Sequence, residues 1–147
     1  MNSKEEHWGA GLWVDEPDEL AWREFITGYQ CYIRRSSYGT FCGYVRVPYT
    51  NKLYRKSYTS VTYPGLDVHG GITFSGTLQS YGKKGWWVGY DTAHWDDYSP
   101  GMAAWAKQYS LDLYKNSDSR KYRNLSFCWE ECTNLAMQIS QYDRRKK

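Results

Sequence analysis

From Asn124 onward, Leu125, Cys128, Cys132, Leu135, Ile139 and Tyr142 recur every three or four residues. That is the period at which side chains line up along one face of an α-helix. A helix with a single apolar stripe has to lay it on a complementary surface. The sequence ahead of it is broken into short strand-like runs separated by Gly and Pro, with no internal repeats, so the surface it needs is a sheet. The fold class that follows is α+β, a small antiparallel sheet packed with N-terminal and C-terminal helices. The length of 147 residues suits one compact domain, residues 1–147 with frayed ends, because a second core of useful size has no room.

Local signals divide the chain further. Asp15 to Ile26 reads as a short helix, with Pro17 in its first turn, acidic residues at the positive end of its dipole and Gly28 as its stop. Tyr29 to Arg34 and Phe41 to Val47 read as a hairpin around the turn Ser36–Thr40. Tyr49 to Tyr63 lacks a clean period and is expected to be a rim or loop. Val68 to Ser75 and Trp86 to Tyr90 are predicted strands joined through Tyr81–Gly85. Met102 to Tyr114 suits a short helix or lid, Asn116–Ser119 a polar connection, and Asn124 the cap of the last helix.

Composition narrows function mainly by exclusion. The 19 Lys+Arg against 16 Asp+Glu leave a net charge of +3, a mild preference for anionic ligands. The basic residues form no recognition helix, and no general nucleic-acid partner is expected. Arg144 to Lys147 read as a solvated terminus. No stretch approaches 18 apolar residues and no leader-like segment opens the chain, so a cytoplasmic protein with no membrane partner is expected. Cys31, Cys42, Cys128 and Cys132 have no CxxC spacing; reduced thiols are the expectation, with a four-cysteine zinc site as its alternative. The 8 Trp, 15 Tyr and 4 Phe are numerous enough to build both core and pocket.

Two polar clusters mark a candidate site. Asp67, His69, Gly70, Gly71, Thr73 and Ser75 form the first, and Trp86, Trp87, Tyr90, Asp91, His94, Trp95, Asp96 and Asp97 form the second, with two of the 3 histidines between them. Gly70-Gly71 removes side-chain bulk where a ligand can approach backbone N–H groups. In an uninterrupted strand, Thr73 and Ser75 share a face with His69 and Gly71. Asp91, His94, Asp96 and Asp97, joined by His69, offer nitrogen and oxygen ligands for a divalent metal; alternatively, Asp91 orients His94 while His69 or His94 transfers a proton. A serine nucleophile lacks its GxSxG elbow.

Through Cys42-Gly43-Tyr44-Val45, His69-Gly70-Gly71-Ile72-Thr73-Phe74-Ser75, Trp86-Trp87-Val88-Gly89-Tyr90-Asp91 and Ala93-His94, the chain resembles a family of small phage- and prophage-associated proteins. The resemblance runs from about Tyr32 through Asp97, and more weakly over Tyr122–Leu125 and the final helix. It implies a protein of the infected bacterial cytoplasm that binds and sequesters a nucleotide-derived immune signal. In that reading His69, Gly70, Gly71, Thr73, Ser75, Trp87, Tyr90, Asp91 and His94 form the site. Trp86, Trp87, Tyr90 or Trp95 contacts a base; Arg34, Arg46, Arg55, Lys83 or Lys84 contacts phosphate. No cofactor is required. Two alternatives stay open: a metal-assisted or His/Asp-dependent nucleotide phosphoesterase using His69, Asp91 and His94, and a direct protein inhibitor of a host defence effector acting through the Tyr49–Tyr63 surface. Whether the pocket forms in one chain or across a homo-oligomer also stays open.

Overall fold

The computed structural model describes residues 3–78, 84–111 and 119–144. The apolar stripe at the C-terminal end belongs to a 20-residue helix, Leu125–Arg144. It covers one face of a five-stranded antiparallel sheet. The strands are β1 (Glu19–Arg23), β2 (Gln30–Arg35), β3 (Phe41–Val47), β4 (Phe74–Gly76) and β5 (Trp86–Asp91), in the order β1-β2-β3-β5-β4. Two shorter helices, α1 (Ser3–Trp8) and α2 (Pro100–Gln108), contact each other, and the C-terminal helix is α3. No helix among the described residues is long and apolar enough to cross a membrane.

Strand alternation decides which side chains meet α3. Cys31, Ile33, Val45, Val47, Val88 and Tyr90 point toward Cys128, Cys132, Leu135, Ala136 and Ile139, all of them buried. The opposite face carries Tyr32, Tyr44 and Trp87, packed with Phe74 and Leu78. The two central strands each contain a Gly-Tyr pair, and their antiparallel register sets Gly43 against Tyr90 and Tyr44 against Gly89. Each tyrosine ring folds over the glycine across from it: a Cβ on Gly43 would lie 2.5 Å from the Tyr90 ring, and one on Gly89 would lie 2.5 Å from Tyr44 Cδ1. Tyr90 is anchored in that position, its hydroxyl donating to the Cys128 carbonyl at 2.6 Å.

Two expectations need correction, and the zinc alternative for the cysteines falls away. Asp15–Ile26 is not a helix; Glu19–Arg23 forms the edge strand β1, with Leu20 and Trp22 facing α3 at period two and the Trp22 ring stacked 6.1 Å from Trp129. The acidic residues that suggested a helix start have other partners. Glu16 accepts the Leu125 N–H at 2.7 Å and so caps α3, while Asp18 pairs with Arg35 at 2.8 Å. Val68–Ser75 is not one strand either, because Gly70 and Gly71 have φ of 69° and 82° and turn the chain; only Phe74–Gly76 joins the sheet. Finally, the four cysteines do not converge on a metal. Cys42 occupies the sheet face opposite to Cys31, Cys128 and Cys132, and all four are free thiols.

Other readings hold. The hairpin strands and β5 lie within one residue of their expected ends, 49–63 is a succession of turns, and Asn124 caps α3 by accepting the Phe127 N–H at 2.9 Å. Residues 81–83, 112–118 and 145–147 of the predicted connections and tail lie outside the described residues. Since the Tyr90 ring cannot retreat without losing its buried hydrogen bond, Gly43→Ala should lower unfolding free energy by about 1–3 kcal/mol through overpacking. Gly65→Ala, with open space around its Cβ, should be near neutral in the same urea titration.

Candidate functional site

Asp97 is 1% exposed and sits where three segments meet: the turn after β5, the Val68–Gly71 turn and the entry to α3. A carboxylate this buried has to be matched by donors. His69 Nε2 lies 2.9 Å from Oδ1 and 3.0 Å from Oδ2; Arg123 Nε donates to Oδ1 at 2.6 Å; the His94 amide donates to Oδ2 at 3.0 Å. Burial by itself would raise the Asp97 carboxyl, but the hydrogen bonds from His69, the His94 amide and Arg123 outweigh it and hold the group below the usual carboxylate range. Facing an ionised carboxylate, His69 carries its proton on Nε2, which leaves Nδ1 as the basic nitrogen.

Helix α3 fixes the loop that carries His69. Glu131 Oε1 accepts the His69 N–H at 2.7 Å, and Gln138 makes a two-way amide contact with the Asp67 backbone, both bonds 2.7 Å. These two residues are seven apart, two turns along one helix face. The Phe127 ring meets the His69 imidazole edge-on at 5.2 Å, and the Arg123 guanidinium lies over the Phe127 ring as a cation–π partner, 5.3 Å from its centroid. Arg123 also reaches Asp96 Oδ2 at 3.3 Å.

A second histidine stands beside the first. The His94 ring centroid is 5.6 Å from that of His69, and its Nε2 lies 3.2 Å from Asp91 Oδ1 and 3.1 Å from the Asp91 carbonyl. Gly70 makes the approach possible: a Cβ there would fall 2.0 Å from His94 Nε2. The outcome is two imidazoles side by side, each with Nε2 held by an aspartate. Donor atoms of His69, Asp96 and Asp97, one from each, lie within 4.8 Å of one another, a spacing that can hold a divalent cation.

The structure thus brings His69, Gly70, Asp91 and His94 together, with Gly71 completing the turn through its N–H to the Val68 carbonyl at 2.8 Å. The remaining expected residues are placed elsewhere. Thr73 is exposed, and Ser75, in β4, accepts the Tyr58 N–H at 3.1 Å, so the shared polar face with His69 is lost to the glycine turn. Trp87 and Tyr90 are each 1% exposed on opposite sheet faces, and neither ring has a face open to a base. Of the aromatics expected to contact a base, Trp95 lies on the wall of an open cavity of about 430 Å3 that also has His94 and Asp97 in its lining. A cavity of about 600 Å3 between α1 and α2 has neither histidine of the pair on its walls. Burial pushes the thiols of Cys42, Cys128 and Cys132 up, which disfavours a thiolate nucleophile at these three. Arg123, Glu131 and Gln138 give no local sequence signal; the i, i+4 and i+11 relation of Phe127, Glu131 and Gln138 becomes meaningful only once the face of α3 is known.

Because the Asp97 carboxyl is held below its unfolded value of about 3.9, its stabilisation is complete above that pH and is lost as pH falls through the lower, folded value. Glu24 and Asp18, also held low, act in the same direction. Wild-type unfolding free energy should therefore fall on acidification below about pH 4. Asp97→Asn should be less stable at neutral pH and show a shallower acid decline, measured by urea titration across pH; parallel declines would contradict the assignment. Comparison of the chain with protein-family models, curated proteins and solved structures finds no match.

Proposed function

We propose that the protein is a His/Asp-dependent phosphoesterase. The observation that carries this reading is the pair of adjacent imidazoles, each oriented through Nε2 by an aspartate, one of which, His94, lines an open cavity. Hydrolysis of a phosphoester needs one group to take a proton from water and another to give one to the departing oxygen. As the water oxygen bonds to phosphorus, the P–O bond to the esterified alcohol breaks. His69 takes the water proton on Nδ1, and protonated His94, on the cavity wall, supplies the proton that releases the alcohol. Asp97 and Asp91 are positioning residues, and Arg123 supplies positive charge beside the phosphoryl group.

Metal assistance is a second version of the same chemistry, supported by the spacing of the His69, Asp96 and Asp97 donor atoms. In it the cation polarises the phosphoryl oxygen and activates water. Against it stands Arg123, whose guanidinium already bonds both carboxylates, so that a cation has to displace or tolerate a fixed positive charge. Sequestration of a nucleotide signal without turnover is weakened by the burial of Trp87 and Tyr90, two of the rings expected to hold its base.

The decisive experiment incubates substoichiometric protein with phosphate mono- and diesters, including nucleotide signals, and follows products by mass spectrometry. Multiple turnovers are expected, retained in EDTA, with a bell-shaped pH profile. His69→Ala and His94→Ala should each lower the rate by about 10²- to 10⁴-fold while circular dichroism shows a retained fold. Stoichiometric recovery of an intact compound would replace the enzyme with a sequestering protein. Turnover abolished by EDTA and restored by one cation would select the metal-assisted version, and neither capture nor conversion would leave direct inhibition of a host protein.

A further inference from the structure

Asp97 has a second task beyond orienting His69. Its backbone N–H donates to the His94 carbonyl at 2.9 Å while its carboxylate accepts the His94 N–H, so it closes the 94–97 turn from both sides. Arg120 Nε adds a third tie, to the Trp95 carbonyl at 3.1 Å. A turn fixed this firmly holds its central side chain outward: Trp95 is 81% exposed. Leaving an indole in water forgoes the burial that a Trp otherwise supplies, and here it does so on the cavity that His94 also lines.

The surroundings of Trp95 specify what it is displayed for. Its cavity, about 430 Å3, is lined by Tyr38, Met102 and Arg120 together with His94 and Asp97. Tyr38 is 57% exposed, and its backbone is clamped, the carbonyl accepting from Ser99 Oγ at 3.0 Å and from the Gly101 N–H at 2.7 Å. Two exposed aromatic side chains on fixed backbone and a polarisable thioether offer flat, apolar contact, whereas a sugar calls for many directed hydrogen bonds and a lipid chain for a deep channel without a cation. The volume accommodates a single ring system with its attached sugar.

The geometry points to this cavity as the subsite for a planar aromatic group, a nucleobase, carried on the phosphoester, with Trp95 as its specificity-determining contact. The inference rests on the phosphoesterase reading only for what happens at phosphorus; recognition of the ring stands on the cavity itself. Stacking of a base on an aromatic side chain is worth a factor of roughly 5 to 150 in affinity.

The test separates the two. Adenosine and uridine, which carry no phosphate, are titrated against the protein by calorimetry, and KM is compared for matched esters: adenosine and uridine 5′-monophosphate against ribose 5-phosphate and glycerol phosphate. Nucleosides should bind, and nucleoside esters should show a KM at least about tenfold below the ring-free esters. Trp95→Ala, at an exposed position where folding is not at stake, should erase both differences, and Trp95→Phe should restore part of them. Nucleoside binding without hydrolysis would uphold the subsite and overturn the enzyme. Hydrolysis with equal KM for all esters, indifferent to Trp95, would uphold the enzyme and overturn the subsite.

Discussion

The Asp97 carboxylate, buried and met by His69, Arg123 and the His94 amide, joins parts of the chain that are far apart in sequence. An ionised carboxylate taken out of water costs several kcal/mol unless charge and hydrogen bonds compensate it. Here the compensation comes from three different segments, so the carboxylate is stable only when the β5 turn, the glycine turn and the entry to α3 are all in place. Tertiary structure and site geometry are one object at this point. The removal of Asp97 would leave Arg123 without its shortest carboxylate contact and His69 without an orienting group, which is why the residue acts through its neighbours rather than on a ligand.

Helix α3 serves both packing and placement. Its apolar stripe holds the sheet through Cys128, Cys132, Leu135 and Ile139. The adjoining face, with Phe127, Glu131 and Gln138, holds the loop from Asp67 to His69 through contacts to backbone and ring. A rotation of the helix would spoil the two together. The same economy appears in the central strands, where reciprocal glycine–tyrosine pairs let two large rings lie flat across the sheet.

The contrast between what the sequence revealed and what it concealed follows from range. The α3 stripe, the β2–β3 hairpin and the Asp91–His94 pair are local patterns, set by helix period, strand alternation and a three-residue spacing. Gly70-Gly71 reads as a place where a ligand can approach backbone, but at Gly70 the neighbour that approaches is the His94 ring, and the pair together forms a turn. Asp15 to Ile26 shows how a local signal misleads: Pro17 and its acidic neighbours satisfy the grammar of a helix start, yet Glu16 caps a different helix and Leu20 and Trp22 gain more by facing α3 from an edge strand. Arg123 and Glu131 lie 26 and 62 residues from their site partners Asp97 and His69, a separation over which no periodicity informs. The burial of Trp87 and Tyr90 depends on both faces of β5 being covered, which alternation alone does not tell.

The central claim is that a buried, ionised Asp97 locks His69 in one tautomer with Nδ1 left basic. Long-range proton–nitrogen correlation spectra of the imidazoles test it most directly. The account predicts a His69 ring protonated on Nε2 at neutral pH, with a slowly exchanging, downfield Nε2 proton that disappears in Asp97→Asn while the backbone spectrum of the sheet persists. A His69 ring protonated on Nδ1, or one averaging freely between tautomers in the wild-type protein, would contradict it.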